Sequence, residues 1–110
     1  MTPYIQVVTT VEKKEDAERI ADALVSARLA ACVQISNCTS VFNWRGEVQK
    51  GEEWVLTVKT SRALFPELCL AVEDMHPYEV PEILAFPILD GNKKYLYWLE
   101  EELKEAIDVD

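Results

Sequence analysis

Basic residues are scarce in this sequence, and long apolar runs are absent. Eleven Lys and Arg residues stand against 20 Asp and Glu residues, which gives a net charge of −9 at pH 7. Such a surface repels phosphate backbones and anionic lipid, so we expect neither nucleic-acid nor membrane binding. No apolar run approaches the roughly 20 residues that cross a bilayer. Met1-Thr2-Pro3-Tyr4 also lacks the features of a secretory leader.

Cysteine and glycine are also scarce, and enzyme motifs are missing. The three cysteines, Cys32, Cys38 and Cys69, are odd in number and form no Cys-x-x-Cys pair, which disfavours a disulfide scaffold and a structural zinc site. With only three glycines, the chain has no Gly-x-Gly-x-x-Gly or Walker-type loop. Gly-x-Ser-x-Gly and His-Glu-x-x-His are absent as well. We therefore expect a cytoplasmic protein with reduced thiols, no enzymatic activity and no required cofactor.

The hydrophobic pattern predicts the order β-α-β-β-α-β, followed by a C-terminal helix. The predicted strands are 4–10, 31–45, 48–60 and 82–89, and the predicted helices are 14–29, 61–75 and 95–107. Arg45-Gly46-Glu47 has the composition of a turn, so the second and third strands form a long hairpin. This order is that of an α+β, ferredoxin-like βαββαβ sandwich with two helices on one face of the sheet. With 110 residues, the chain is expected to form one domain over 1–110.

The predicted sheet has apolar side chains on both of its faces. The segments 31–35, 54–58 and 83–89 are apolar at both odd and even positions. An antiparallel sheet with one solvated face should alternate between apolar and polar residues. Two helices cover only one face, and one short C-terminal helix is not enough to cover the other. The sequence therefore predicts an obligate homo-oligomer.

Four motifs in the sequence resemble those of the CutA family of divalent-cation tolerance proteins. They are Ala30-Ala31-Cys32-Val33, Trp44-Arg45-Gly46-Glu47, His76-Pro77-Tyr78-Glu79-Val80-Pro81-Glu82-Ile83, and Asn92 followed by Tyr95-Leu96-Tyr97-Trp98-Leu99. The resemblance extends over about residues 5–103, and the His-Pro-Tyr-x-x-Pro-Glu run is its most specific part. It implies a small cytoplasmic homotrimer with a PII-like, ferredoxin-like protomer, whose hairpins pair across subunits.

The resemblance also implies a link to copper and other divalent cations. The copper-binding pattern of some bacterial members has a cysteine late in the first strand and two adjacent histidines before Pro-Tyr. Here Thr9 or Thr10 stands at the cysteine position and Met75 at the first histidine, so His76 is the one candidate metal ligand. As the only histidine, it could instead interact with the C-terminal carbonyls of its helix.

The candidate site is an inter-subunit cleft with charged and aromatic walls. Its predicted residues are Trp44, Glu53, Lys59, Tyr78, Glu82, Tyr95 and Trp98. The same charges could form salt bridges that fix the register of the trimer, and the same aromatic residues could anchor its interface. The leading hypothesis is a homotrimeric metal-ion-response protein that binds copper or another divalent cation. The alternatives are a PII-like sensor that binds an organic anion through Lys59 and Arg45, and a structural scaffold for a partner protein.

Overall fold

A four-stranded antiparallel sheet organises residues 2–107, the part of the chain that the computed structural model describes. The strand order is β2-β3-β1-β4, which confirms the ferredoxin-like arrangement. Along the chain the elements are β1 (Tyr4–Val11), α1 (Lys14–Ser26), β2 (Cys32–Trp44), β3 (Glu47–Ser61), α2 (Phe65–Met75), β4 (Leu84–Pro87) and α3 (Lys93–Glu101). Ser61 caps a 3-10 turn that leads into α2, and its side chain accepts a hydrogen bond from the Leu64 amide. No helix in the described range is long and apolar enough to cross a membrane.

Helices α1 and α2 cover one face of the sheet and form the main core with it. Ile20 and Leu24 of α1 and Leu68 and Val72 of α2 are fully buried. They belong to the same cluster as the inward side chains of β1 and β3, which are Ile5, Val7, Val11, Leu56 and Val58. Each such side chain contributes about 1.5–3 kcal/mol through burial. The stripes of α1 and α2 recur at helical spacing, and this is why the sequence predicts both helices.

Helix α1 ends at Ser26, three residues before the predicted boundary, because the chain turns there. Arg28 adopts a left-handed conformation with φ of 59°. Its amide donates to the Val25 carbonyl, and the Leu29 amide donates to the Leu24 carbonyl, both at 3.0 Å. These are the two hydrogen bonds of a Schellman motif. The hydrophobic pattern does not show where α1 ends, because arginine occupies the position at which a helix of this kind usually has glycine.

Helix α3 is also shorter than predicted, because the chain after it bonds to the end of α1. The Arg28 guanidinium donates to the Glu101 carbonyl, and the Lys104 amide donates to the Arg28 carbonyl at 2.9 Å. Lys104 also forms an ion pair of 2.7 Å with Glu67 of α2. Strand β4 is shorter than the predicted 82–89 and ends at Pro87, although the next amide, that of Ile88, still donates to the Tyr4 carbonyl at 3.1 Å.

The β2–β3 hairpin runs past the end of the sheet. Strand β1 pairs with β3 only as far as Val11 opposite Trp54, whereas β2 and β3 stay paired in unbroken register to Trp44 opposite Glu47. We call the projecting part, residues 38–53, the arm. Its turn has positive φ at both Arg45 (52°) and Gly46 (81°), as a type I′ hairpin requires.

The second face of the sheet is only partly covered. Helix α3 packs at one end of it, where Leu99 is buried with Tyr4 and Ala31. Further along, Leu84 and Phe86 of β4 lie opposite Val8 and Gln6 of β1, so they share this face. Leu84 is 51% exposed and Phe86 is 47% exposed. We call this the open face, and it is the face that the sequence pattern predicts to be uncovered within one chain.

Candidate binding cleft

His76 follows the last residue of α2, and both of its ring nitrogens are hydrogen-bonded to the main chain. Its Nε2 donates to the Thr10 carbonyl at 2.9 Å, while its Nδ1 accepts from the Tyr78 amide at 3.1 Å. A nitrogen that accepts this bond carries no proton, so the ring is neutral and protonated at Nε2. Burial lowers the pKa of His76, although the Thr10 carbonyl and the Glu53 and Asp16 carboxylates partly oppose this. Through its two hydrogen bonds, the ring ties α2 and the segment after it to β1.

Tyr78 continues this connection to the base of the arm. Its hydroxyl donates to Glu53 Oε2 at 2.7 Å, and its ring makes an edge contact with the His76 ring, with centroids 4.9 Å apart. Burial raises the pKa of Tyr78, and the hydrogen bond and charge of Glu53 raise it further. Tyr78 therefore stays protonated near neutral pH and remains a donor to Glu53.

A groove of about 750 Å³ lies between the arm and the segment 78–82. We call it the arm cleft. Thr10 of β1, Glu12 just after β1, and Phe42 and Trp44 of β2 all line it. Five carboxylates line it, against the single ammonium group of Lys50. They belong to Glu12, Glu52, Glu53, Glu79 and Glu82. The cleft is therefore negatively charged and partly aromatic.

The predicted cleft residues form two separate groups in one chain. Trp44, Glu53, Tyr78 and Glu82 line the arm cleft. Tyr95 and Trp98 instead contact each other on α3, with their rings tilted by 41° and their centroids 5.5 Å apart. Tyr95 also contacts Cys32 at the start of β2. Lys59 lies opposite Cys32 in the sheet and donates to Gln34 Oε1 at 2.8 Å. Tyr95, Trp98 and Lys59 thus lie at the other end of the sheet from the arm cleft.

Several lining residues were not among the predicted ones. Phe42, Glu12, Glu52 and Glu79 join the arm cleft through the tertiary fold. The sequence contains a signal only for Phe42. Phe42 and Trp44 are two residues apart on one predicted strand, so their side chains share a face, and Trp44 was a predicted cleft residue. Of the two threonines at the position of the family's cysteine, Thr10 lines the cleft. Thr9 points to the helix side, where it is fully buried with its hydroxyl unpaired.

The residues of one chain do not fit a transition-metal ion at His76. Copper needs several nitrogen, sulfur or carboxylate ligands that converge on one point. Within residues 2–107, no group of three or more His, Cys, Asp or Glu side chains lies close enough together to hold a metal ion. Both ring nitrogens of His76 are already bonded, and Met75 packs against the main core. A metal ion there would have to displace a main-chain hydrogen bond.

At the tip of the arm, the cationic side chain of Arg45 contacts an aromatic ring and a carboxylate. The Arg45 guanidinium lies over the Trp44 ring, 5.5 Å from its centroid, and 3.8 Å from the Glu79 carboxylate. An aromatic face and a carboxylate are the two groups that attract an organic cation. At this end of the cleft, the chain's own arginine occupies such a position.

Comparison with known proteins identifies the family. Residues 5–102 match the family model described as CutA1 divalent ion tolerance protein. The divalent-cation tolerance protein CutA of Thermus thermophilus is 51% identical over 96 residues, which are 86% of this chain and 93% of that protein. The rice protein CutA 1, described as chloroplastic, is 43% identical over 105 residues, and the match covers 94% of this chain and 59% of the rice protein.

The fold agrees with this match. A solved structure from Archaeoglobus fulgidus, described as a periplasmic divalent cation tolerance protein CutA, superposes with a TM-score of 0.90 at 38% identity. The superposition covers 92% of this chain and 99% of that one. Sequence and fold agree over nearly the whole described range, and the chain therefore belongs to the CutA1 family of divalent ion tolerance proteins.

Proposed function

We propose that this protein is a homotrimeric, non-enzymatic component of the cytoplasmic response to divalent metal ions, with copper or another divalent cation as its ligand. The observation that carries the assembly part is the exposed apolar surface of the open face and the arm. Phe86, Phe42 and Trp44 are each more than 40% exposed in the single chain. Groups of exposed apolar side chains are typical of a protein interface. Membership of the family supports the metal-ion part.

Ligands from more than one copy would complete a metal site in this proposal. One chain offers carboxylates at the arm cleft but no converging set of three within its described residues. A trimer brings three acidic arms together and can combine ligands that are separate in one chain. The net charge of −9 favours the approach of cations. The three free thiols suit a reducing compartment such as the cytoplasm.

The state of the nucleophilic and basic groups supports a non-enzymatic role. His76 has no free nitrogen with which to act as a general base. Burial raises the pKa of the Cys69 thiol, and the neighbouring Glu73 raises it further, which makes the thiolate less accessible.

The organic-anion sensor has less support from the geometry. It depends on Lys59 and Arg45 acting together, yet Arg45 lies at the tip of the arm and Lys59 lies in the sheet beside Gln34. Each cation already has a polar or charged partner within the chain.

Native mass spectrometry of the untagged protein during a copper titration tests the proposal. We expect a trimer that takes up a fixed, integral number of copper ions at low micromolar copper. Glu53→Gln should reduce this uptake. Glu105→Gln removes the same charge as Glu53→Gln from an exposed site outside the cleft and should leave the uptake unchanged.

Three outcomes would contradict parts of the proposal. A monomer at micromolar concentration would exclude the assembly. Unsaturable copper adducts that all variants share would exclude the metal site and leave the scaffold alternative. Stabilisation by small organic anions, without saturable copper binding, would favour the sensor.

A further inference from the structure

We draw no further inference here: the strongest candidate, the largely apolar cavity of about 470 Å³ between the start of β1, the start of α2 and the edge strand β4, which Arg62 also lines, carries nothing, because nothing in the structure shows what covers or occupies it.

Discussion

The imidazole of His76 connects three parts of the molecule through two hydrogen bonds. Its ring nitrogens bond to the main chain of Thr10 in β1 and of Tyr78 after α2, and Tyr78 then bonds to Glu53 at the base of the arm. In this arrangement the ring is a structural element that holds Thr10 and Tyr78, two residues that line the cleft, in place. Protonation at Nδ1 would place two donors face to face, so the geometry itself opposes the charged form.

The burial of the His76 imidazole predicts that the stability of the protein depends on pH through this one residue. The native pKa of His76 lies below its ordinary value of 6.5, so the unfolded chain binds the proton first as pH falls. The free energy of unfolding should therefore be constant above about pH 7 and decrease as pH falls below about 6.5 toward the native pKa. Urea unfolding between about pH 5.5 and pH 7.5 measures this dependence, over the range in which an ordinary histidine titrates.

His76→Gln is the matched variant, because it retains a polar side chain but does not titrate. Its unfolding midpoint should be nearly independent of pH over the same range. Since His76 is the only histidine, an unchanged slope in His76→Gln would show that other groups cause the dependence.

Among the elements, the ends of α1 and α3 are joined at one turn. Arg28 has the left-handed conformation that ends α1, and its guanidinium and carbonyl both bond to the chain at the end of α3. A non-glycine residue in this conformation costs roughly 1–2 kcal/mol. The side-chain bond to Glu101 is large enough to offset that cost, since a hydrogen bond from a charged donor contributes about 1.5–3 kcal/mol.

Two substitutions at Arg28 separate these effects. Arg28→Ala loses the bond to Glu101 and keeps the backbone strain, whereas Arg28→Gly loses the bond but relieves the strain. We expect Arg28→Gly to be more stable than Arg28→Ala by about 1 kcal/mol. Urea denaturation of both variants measures the difference. Equal stabilities would mean that the turn carries no strain of this kind.

For the molecule as a whole, the two faces of the sheet have different surroundings. One is buried under α1 and α2, and the open face keeps large apolar side chains exposed beyond the end covered by α3. The arm adds Val41, Phe42, Trp44 and Val48, all more than 40% exposed. Both surfaces are parts of one sheet, so one symmetric assembly can cover them together.

Charged substitutions on the two sides of the sheet should therefore act differently. Phe86 on the open face is 47% exposed and Leu70 on α2 is 55% exposed, so neither substitution opens a cavity in the core. We expect Phe86→Glu to dissociate the proposed trimer, because it places a charge in the proposed interface, and Leu70→Glu to leave the trimer intact. Light scattering after size-exclusion chromatography measures both masses. Dissociation by Leu70→Glu, with an intact Phe86→Glu assembly, would place the interface on the helix side.

The sequence predicts the order of the elements well and their ends less well. The hairpin register follows from the short glycine turn, and the helical stripes of α1 and α2 identify their buried faces. The end of α1 is missed because arginine replaces glycine at Arg28, and the end of α3 is missed because Lys104 bonds to α1 there. Within the candidate site, His76 and Tyr78 are two residues apart, so their proximity is local. The meeting of Trp44, Glu53 and Glu82 depends on the path of the arm.

The sequence by itself determined the fold class and the family, because periodicity and spaced motifs are local properties of the chain. It also indicated an uncovered face, since both sides of the strands read as apolar. Only the tertiary structure decided that Thr10 rather than Thr9 faces the cleft, and that Tyr95, Trp98 and Lys59 lie away from it. It alone decided the tautomer of His76. The physical reason is that hydrogen-bond partners and facing side chains come from segments far apart in the chain, which no local pattern specifies.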